Sequence, residues 1–136
     1  MTTDSYAEIF NSATLDRLFP PERADQFFDA LFGDASEGAY NIRLGFVGHD
    51  PKRDTLQFEL QLLQRPGKCL ACNLTYGLPE VFSRHPIINI KGLTKEIDAI
   101  LAGRKTCAEW RLGATRSVSK ELYSIPLEIK LQGPAV

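Results

Sequence analysis

The chain has 136 residues, of which 43% are hydrophobic and 24% are charged. These values exclude an intrinsically disordered protein and are typical of one globular domain. The sequence lacks an apolar run long enough to span a membrane, and it does not begin with a secretory signal, so we expect a protein of the reducing cytoplasm.

The net charge of -1 hides a strong asymmetry. Residues 1–38 contain eight acidic and two basic side chains, whereas residues 39–136 contain nine acidic and fourteen basic ones. The two regions can attract each other within one domain, or the second can present a basic surface to an anion or a nucleic acid.

The N-terminal region 1–38 is predicted to be helical. Its clearest helix follows Pro21, which suits the first position of a helix because its missing N–H costs nothing there. Apolar residues then recur at helical spacing, and Gly33 is suited to end the helix. The residues of this apolar stripe are Ala24, Phe27, Phe28, Leu31 and Phe32.

After residue 39 the apolar period changes from 3.6 to 2, which indicates strands. Alternating segments at 40–46, 56–62 and 70–76 are separated by the turn-like stretches "GHDPKRD" and "RPGK". Short turns between strands predict antiparallel pairing with one buried and one wet face. The segment "LPEVFSRHP" is then predicted to be a helical turn, and "IINI", residues 87–90, a short strand.

Thr94 is predicted to cap a helix over "KEIDAILAG", and two strands follow at 108–114 and 123–131. Pro126 lies on the outward face of the last segment, which favours an edge strand because proline cannot donate to a ladder. The element order α-α-β-β-β-α-β-α-β-β predicts an α+β single domain, 1–136. Its antiparallel twisted sheet has five to six strands, with helices packed mainly on one face. The predicted core comprises Phe27, Phe28, Leu31, Leu44, Phe58, Leu60, Leu74, Ile97, Trp110, Ile125 and Leu127.

Two of the three cysteines lie three positions apart, in the pattern C-x2-C-x12-H. On a strand, Cys69 and Cys72 point to opposite faces with α-carbons about 10 Å apart, beyond the roughly 7 Å that a disulfide allows. With His85 and Cys107 they would make a Cys3His zinc set, but structural zinc usually shows two close pairs and the second pair is missing. We therefore predict no metal and no cofactor, with zinc as the alternative.

A catalytic site has little support in the sequence. Nucleotide-binding, hydrolase, metalloprotease and calcium-loop motifs do not occur. His85 with the nearby carboxylate of Glu80 is the candidate for acid–base chemistry, although a lone histidine in a turn is more often a locally hydrogen-bonded residue.

Five basic residues lie within 17 positions near the last hairpin, opposed only by Glu109, and can form an anion-binding basic rim. They are Arg104, Lys105, Arg111, Arg116 and Lys120. Nucleic-acid binders usually interleave such residues with exposed aromatic side chains, whereas Trp110 and Tyr123 are predicted to point inward, so nucleic acid is disfavoured.

These patterns favour a non-enzymatic ligand-binding or protein-interaction module. Its partner would be a protein or a small apolar or anionic ligand, and an edge strand near the C-terminus would offer a route to a homodimer. A membrane is not expected as a partner. The alternatives are a thiol or zinc protein using the CxxC segment and a small enzyme with a His/carboxylate site.

Overall fold

The computed structural model describes residues 3–34, 40–67, 82–101 and 105–133. These ranges form four helices, five strands and a helical turn at residues 82–84. The helices are α1 (Thr3–Ile9), α2 (Ser12–Leu18), α3 (Glu22–Phe32) and α4 (Ile90–Leu101). The strands are β1 (Tyr40–Asp50), β2 (Thr55–Gln64), β3 (Thr106–Leu112), β4 (Arg116–Ser117) and β5 (Leu122–Gln132). Over these ranges, helices as long and apolar as a membrane crossing requires do not occur.

The strands form one antiparallel sheet in the order β1-β2-β5-β3, and β4 pairs with β5. Strands β1 and β2 are joined by a tight turn at residues 51–54. The predicted fold class, α+β with an antiparallel sheet in a single domain, is confirmed.

One face of the sheet carries the core, because alternate residues of each strand point to the same side. Leu44, Leu60 and Ile125 lie opposite one another across three strands, and all three are buried. Side chains of the helical region cover this face: the ring of Phe10, directly after α1, packs 5.1 Å from that of Phe58. Every predicted core residue whose side chain is described is buried except Trp110, which is half-buried at the edge strand. Residues 31 and 74 lie outside the described side chains.

Polar contacts begin one helix and hold another to the sheet. The Asn11 side chain accepts a hydrogen bond from the backbone N–H of Thr14 and caps α2. The guanidinium of Arg65, at the end of β2, donates to Asp25 of α3 at 2.6 Å and to Asn41 of β1 at 3.1 Å. Helix α3 is therefore held to the sheet by a charged clamp as well as by its apolar stripe.

The last strand is central, not an edge strand as Pro126 had suggested. Strand β5 pairs with β2 on one side and with β3 and β4 on the other. The Pro126 carbonyl accepts from the N–H of Gly113, in the gap between β3 and β4. Since a residue in an antiparallel strand directs its N–H and C=O to the same side, the missing donor faces this gap and interrupts no ladder.

Residues 87–90, predicted as a strand, form a turn and the start of α4. The side chain of Asn89 accepts a hydrogen bond from the N–H of Gly92 at 3.1 Å and so caps this helix. The cap lies five residues before Thr94, the predicted one. Ile90, in the first turn of the helix, is buried, and so is Ile88 in the turn before it. The predicted strand at 70–76 lies outside the described residues.

Candidate functional site: a basic groove on the open face of the sheet

The face of the sheet opposite the helices, here called the open face, carries polar side chains. Cross-strand pairing aligns Gln57 with Glu128 and Glu128 with Arg111. One step along, Lys130 lies between Thr55 and Glu109. Directly opposite residues share a face, and the intervening positions Leu56 and Ile129 belong to the core, so these side chains point away from the helices.

One half of the open face is closed by its own hydrogen bonds. One Glu59 carboxylate oxygen accepts from the Gln61 amide at 2.7 Å, and the other accepts from the Ser124 hydroxyl at 3.1 Å. Ser124 is buried. These three polar groups therefore satisfy one another.

The other half forms a hollow of about 550 Å³, here called the basic groove. Its described lining includes four basic and two acidic side chains, an excess of two positive charges, in a protein whose net charge is -1. The lining residues are Lys52, Arg53, Thr55, Glu109, Trp110, Arg111, Glu128 and Lys130.

Two arginines meet one carboxylate oxygen in the middle of the groove. The same Glu128 oxygen, Oε2, lies 3.2 Å from an Arg53 nitrogen and 3.6 Å from an Arg111 nitrogen. Lys130 approaches Glu109 at only 4.0 Å. Exposed ion pairs of this kind contribute about 0.2–1 kcal/mol. The groove therefore holds cationic groups in place without binding them tightly.

The hairpin tip that carries Lys52 and Arg53 is anchored by Asp54. One Asp54 carboxylate oxygen lies 2.9 Å from His49 Nε2 and the other 2.6 Å from the Lys105 ammonium. The Asp54 carbonyl also accepts from the backbone N–H of Leu131. Asp54 adopts φ 48°, a left-handed conformation that aspartate tolerates better than most residues. We call His49, Asp54 and Lys105 the anchor site.

Electrostatics keep Asp54 and Lys105 charged at neutral pH. Burial raises the pKa of Asp54, but hydrogen bonds from Lys105 and His49 outweigh it, so the net shift is downward. The hydrogen bond to Asp54 raises the pKa of Lys105. The ring of His49 packs 4.6 Å from that of Tyr6, which ties α1 to the hairpin. A protonated, paired lysine is a poor nucleophile, so the anchor site is suited to positioning the tip.

The predicted basic rim is distributed over several places. Lys105 belongs to the anchor site, Arg111 to the basic groove, and Lys120 to the exposed turn before β5. Arg116 pairs with Ser124, near the start of β5, and lines a second hollow. Eight residues of β5 separate the partner of Arg116 from that of Thr106, next to Lys105, which is about 27 Å. Residue 104 lies outside the described ranges.

His85 has a local structural role. Its Nδ1 atom accepts from the backbone N–H of Ile87 at 3.2 Å, and its ring packs edge-on against Phe27. Glu80, its predicted acid–base partner, lies outside the described residues. The His/carboxylate hypothesis therefore stays a prediction.

Cys107 is a half-buried free thiol that approaches the carbonyl of Thr94 at 3.6 Å. Burial, followed by the nearby Asp98, raises its pKa to about 12. Such a thiol is a poor metal ligand and a poor nucleophile. Cys69 and Cys72 lie outside the described residues, within which histidine, cysteine and acidic side chains form no group of three that could hold a metal. The zinc and thiol hypotheses stay predictions.

The sequence analysis did not identify several groove residues as a site. Lys52 and Arg53 lie in the turn stretch "GHDPKRD", and Glu128 and Lys130 alternate with core residues of β5. The signal in the sequence was the alternation of Glu128 and Lys130 with core residues along β5. It did not identify the groove because the sequence does not show that β5 pairs with both β2 and β3.

Comparison with known proteins adds no assignment: no family model, no curated protein and no solved structure matches the chain.

Proposed function

We propose that the protein is a non-enzymatic binding module that holds an anionic partner in the basic groove. The observation that supports this most is the convergence of Arg53 and Arg111 on one Glu128 oxygen, flanked by Lys52 and Lys130. Guanidinium groups are well suited to carboxylates and phosphates because their planar forks donate two parallel hydrogen bonds.

The donors in the groove exceed what the groove itself uses. A guanidinium carries five N–H donors, and within the described residues Arg53 and Arg111 each contact a carboxylate through one nitrogen. The Lys52 ammonium makes no ion pair with a described residue. An incoming anion would therefore meet donors that are already arranged and not saturated.

The groove has a reporter beside it. Trp110, the single tryptophan of the chain, borders the groove, and its pairing with Ile129 places its ring on the core side, between the groove residues Glu109 and Arg111 in the chain. Its emission is expected to respond when an anion enters. We expect inorganic pyrophosphate, titrated at low ionic strength, to change this emission saturably and to lose affinity as salt screens the charges.

The test is a comparison of variants. Replacing both Arg53 and Arg111 with alanine should weaken pyrophosphate binding roughly tenfold or more, because charged hydrogen bonds are lost. The double variant Lys91→Ala/Lys95→Ala is the matched control, since it also removes two exposed positive charges, here from α4 on the helical side. Equal losses in the two proteins, or no saturable change in the wild type, would contradict the proposal.

A further inference from the structure

The basic groove continues into a second hollow on the open face. This hollow, of about 400 Å³, meets the first at Glu128. Its character is different: an exposed valine, an alanine and a proline replace most of the charges, and Arg116 stands at its border. The described lining residues are Val47, Gln57, Phe58, Ala114, Arg116, Pro126, Leu127 and Glu128. We call it the apolar hollow.

A β-bulge brings Val47 into this hollow. The register of β1 against β2 shifts between Phe46 and Gly48, so Val47 is unpaired, and its side chain is 58% exposed. Gly113 lets the Pro126 ring lie close: a Cβ there would come within 2.7 Å of Pro126 Cγ. The hollow thus exposes two aliphatic surfaces that the core does not use.

The residue spacing along β5 gives the distance between the two hollows. Lys130, Glu128 and Pro126 point to the same face, and alternate residues of a strand are about 7 Å apart. The distance from Lys130, at the basic end, to Pro126, at the apolar end, is therefore about 14 Å. An extended peptide laid along β5 presents its own alternate side chains at the same interval, so the two chains can stay in step.

Resting on the proposed function, we infer that the anionic partner is an extended acidic peptide segment with an aliphatic residue. Its acidic side chains occupy the basic groove two positions apart, and the aliphatic side chain, two positions further, occupies the apolar hollow. The two hollows together carry five basic and two acidic side chains, an excess of three positive charges. This charge complements an acidic segment.

The same observations disfavour single-stranded nucleic acid. Such ligands are held by stacking successive bases on aromatic side chains. Trp110 is the single aromatic residue in the described lining of the basic groove, and Phe58, the aromatic residue in the described lining of the apolar hollow, is a core residue only 1% exposed. A base or a phosphate would gain little from Val47, whereas a leucine side chain would bury apolar surface against it.

The experiment uses labelled nine-residue peptides with the full-length protein. One carries Asp-Ser-Asp-Ser-Leu at its centre, a second carries the reversed order, and matched versions have serine in place of leucine. Polarisation should show that leucine tightens binding about threefold to tenfold in one of the two orders. Val47→Ser should remove this gain and leave the leucine-free peptide unaffected.

Val118→Ser is the matched control, because Val118 is a second valine, 62% exposed, that does not line either hollow. If leucine adds nothing, or if Val47→Ser and Val118→Ser behave alike, the peptide inference is overturned. Pyrophosphate binding would then still decide the proposed function by itself. Tighter binding of a single-stranded oligonucleotide of equal charge would also overturn the inference.

Discussion

Two carboxylates of this protein each hold two basic partners, yet their surroundings differ. Asp54 lies between His49 and Lys105, whose side chains are 11% and 31% exposed, and its own carbonyl is bonded to the neighbouring strand. Glu128 lies between Arg53 and Arg111, whose side chains are 59% and 73% exposed. The contacts to Asp54 are 2.6 and 2.9 Å, and those to Glu128 are 3.2 and 3.6 Å.

The comparison distinguishes an ion pair that stabilises the fold from one whose arginines can bind another anion. The two carboxylates are equally exposed, 29% for Asp54 and 30% for Glu128, so the difference lies in their basic partners and in the contact lengths. Short contacts and the sheltered ring of His49 make the anchor site part of the fold, because a buried ring nitrogen that loses its partner is left unsatisfied. Exposure and longer contacts leave the arginines of the groove able to exchange Glu128 for another anion at little cost. The anchor site positions the hairpin tip, and the tip places Arg53 in the basic groove.

The largest expected effect is on stability. Asp54→Ala should lower the free energy of unfolding by about 1–3 kcal/mol, because sheltered His49 loses its partner and alanine is strained at this φ. Glu128→Ala should change it by less than about 0.5 kcal/mol. Urea unfolding measures both, and Asp54→Asn isolates the charge, since asparagine tolerates the backbone conformation. Similar losses at Asp54 and Glu128 would erase the distinction between the two sites.

The next effect is on binding. Glu128→Gln should tighten pyrophosphate binding about fivefold, because a competing negative charge some 4 Å from the ligand is removed. Emission of Trp110 gives the affinity. Glu96→Gln, at an exposed position of α4, is the matched control. Weaker binding would mean that Glu128 organises the arginines for the ligand, in which case it is structural like Asp54.

The anchor site should also respond to pH with a defined sign. The folded pKa of Asp54 lies below its usual value, so its contribution is present above the unfolded pKa, about 3.9, and is lost as pH falls through the folded value. The stability difference between wild type and Asp54→Asn should thus shrink as pH falls below about pH 4. Chemical denaturation from about pH 5 downward measures it, and a difference that grew below about pH 4 would contradict the assignment.

At alkaline pH the sign is opposite. The pKa of Lys105 is raised, so its contribution is complete below its unfolded pKa and is lost only as pH rises through the higher folded value. The penalty of Lys105→Met should therefore persist beyond about pH 10.5. Loss of this penalty already near neutral pH would show that Lys105 does not depend on Asp54.

The smallest effect is the coupling within each site. A double-mutant cycle on Glu128 and Arg111 should give less than about 0.5 kcal/mol, vanishing in about 1 M salt. The cycle on Asp54 and His49 should give about 1 kcal/mol and resist salt, because the pair is sheltered. Urea unfolding of the single and double variants measures both, and equal salt sensitivity would remove the contrast.

Local patterns predicted the elements well and the topology poorly. Alternation identified the strand that contains Phe58 and the one that contains Ile125, and the helical stripe identified Phe27 and Phe28 as core. Pro126 was misleading because a missing N–H donor is costly only where a neighbouring strand would accept its hydrogen bond. Here Pro126 faces the gap between β3 and β4, beside Gly113, and this arrangement of strands is not visible in the local sequence.

The candidate site was predictable only in part. Arg111 was identified from a local density of basic residues, but Arg53 comes from another hairpin and meets it through a glutamate 75 positions further along the chain. Asp54 and Lys105 are 51 positions apart, and their pairing likewise depends on how the strands are arranged. Trp110 was predicted to point inward as a core residue; it does pack against the core, but the edge position of β3 leaves it half-buried.

The sequence by itself determined the fold class, the alternation that separates a core face from a polar face, and the charge asymmetry of the chain. These depend on side-chain periodicity and composition, which are local properties. Only the tertiary structure decided that β5 is central, with Glu128 between two arginines and Asp54 between a histidine and a lysine. Pairing between distant strands brings those charges together, and no local spacing encodes it.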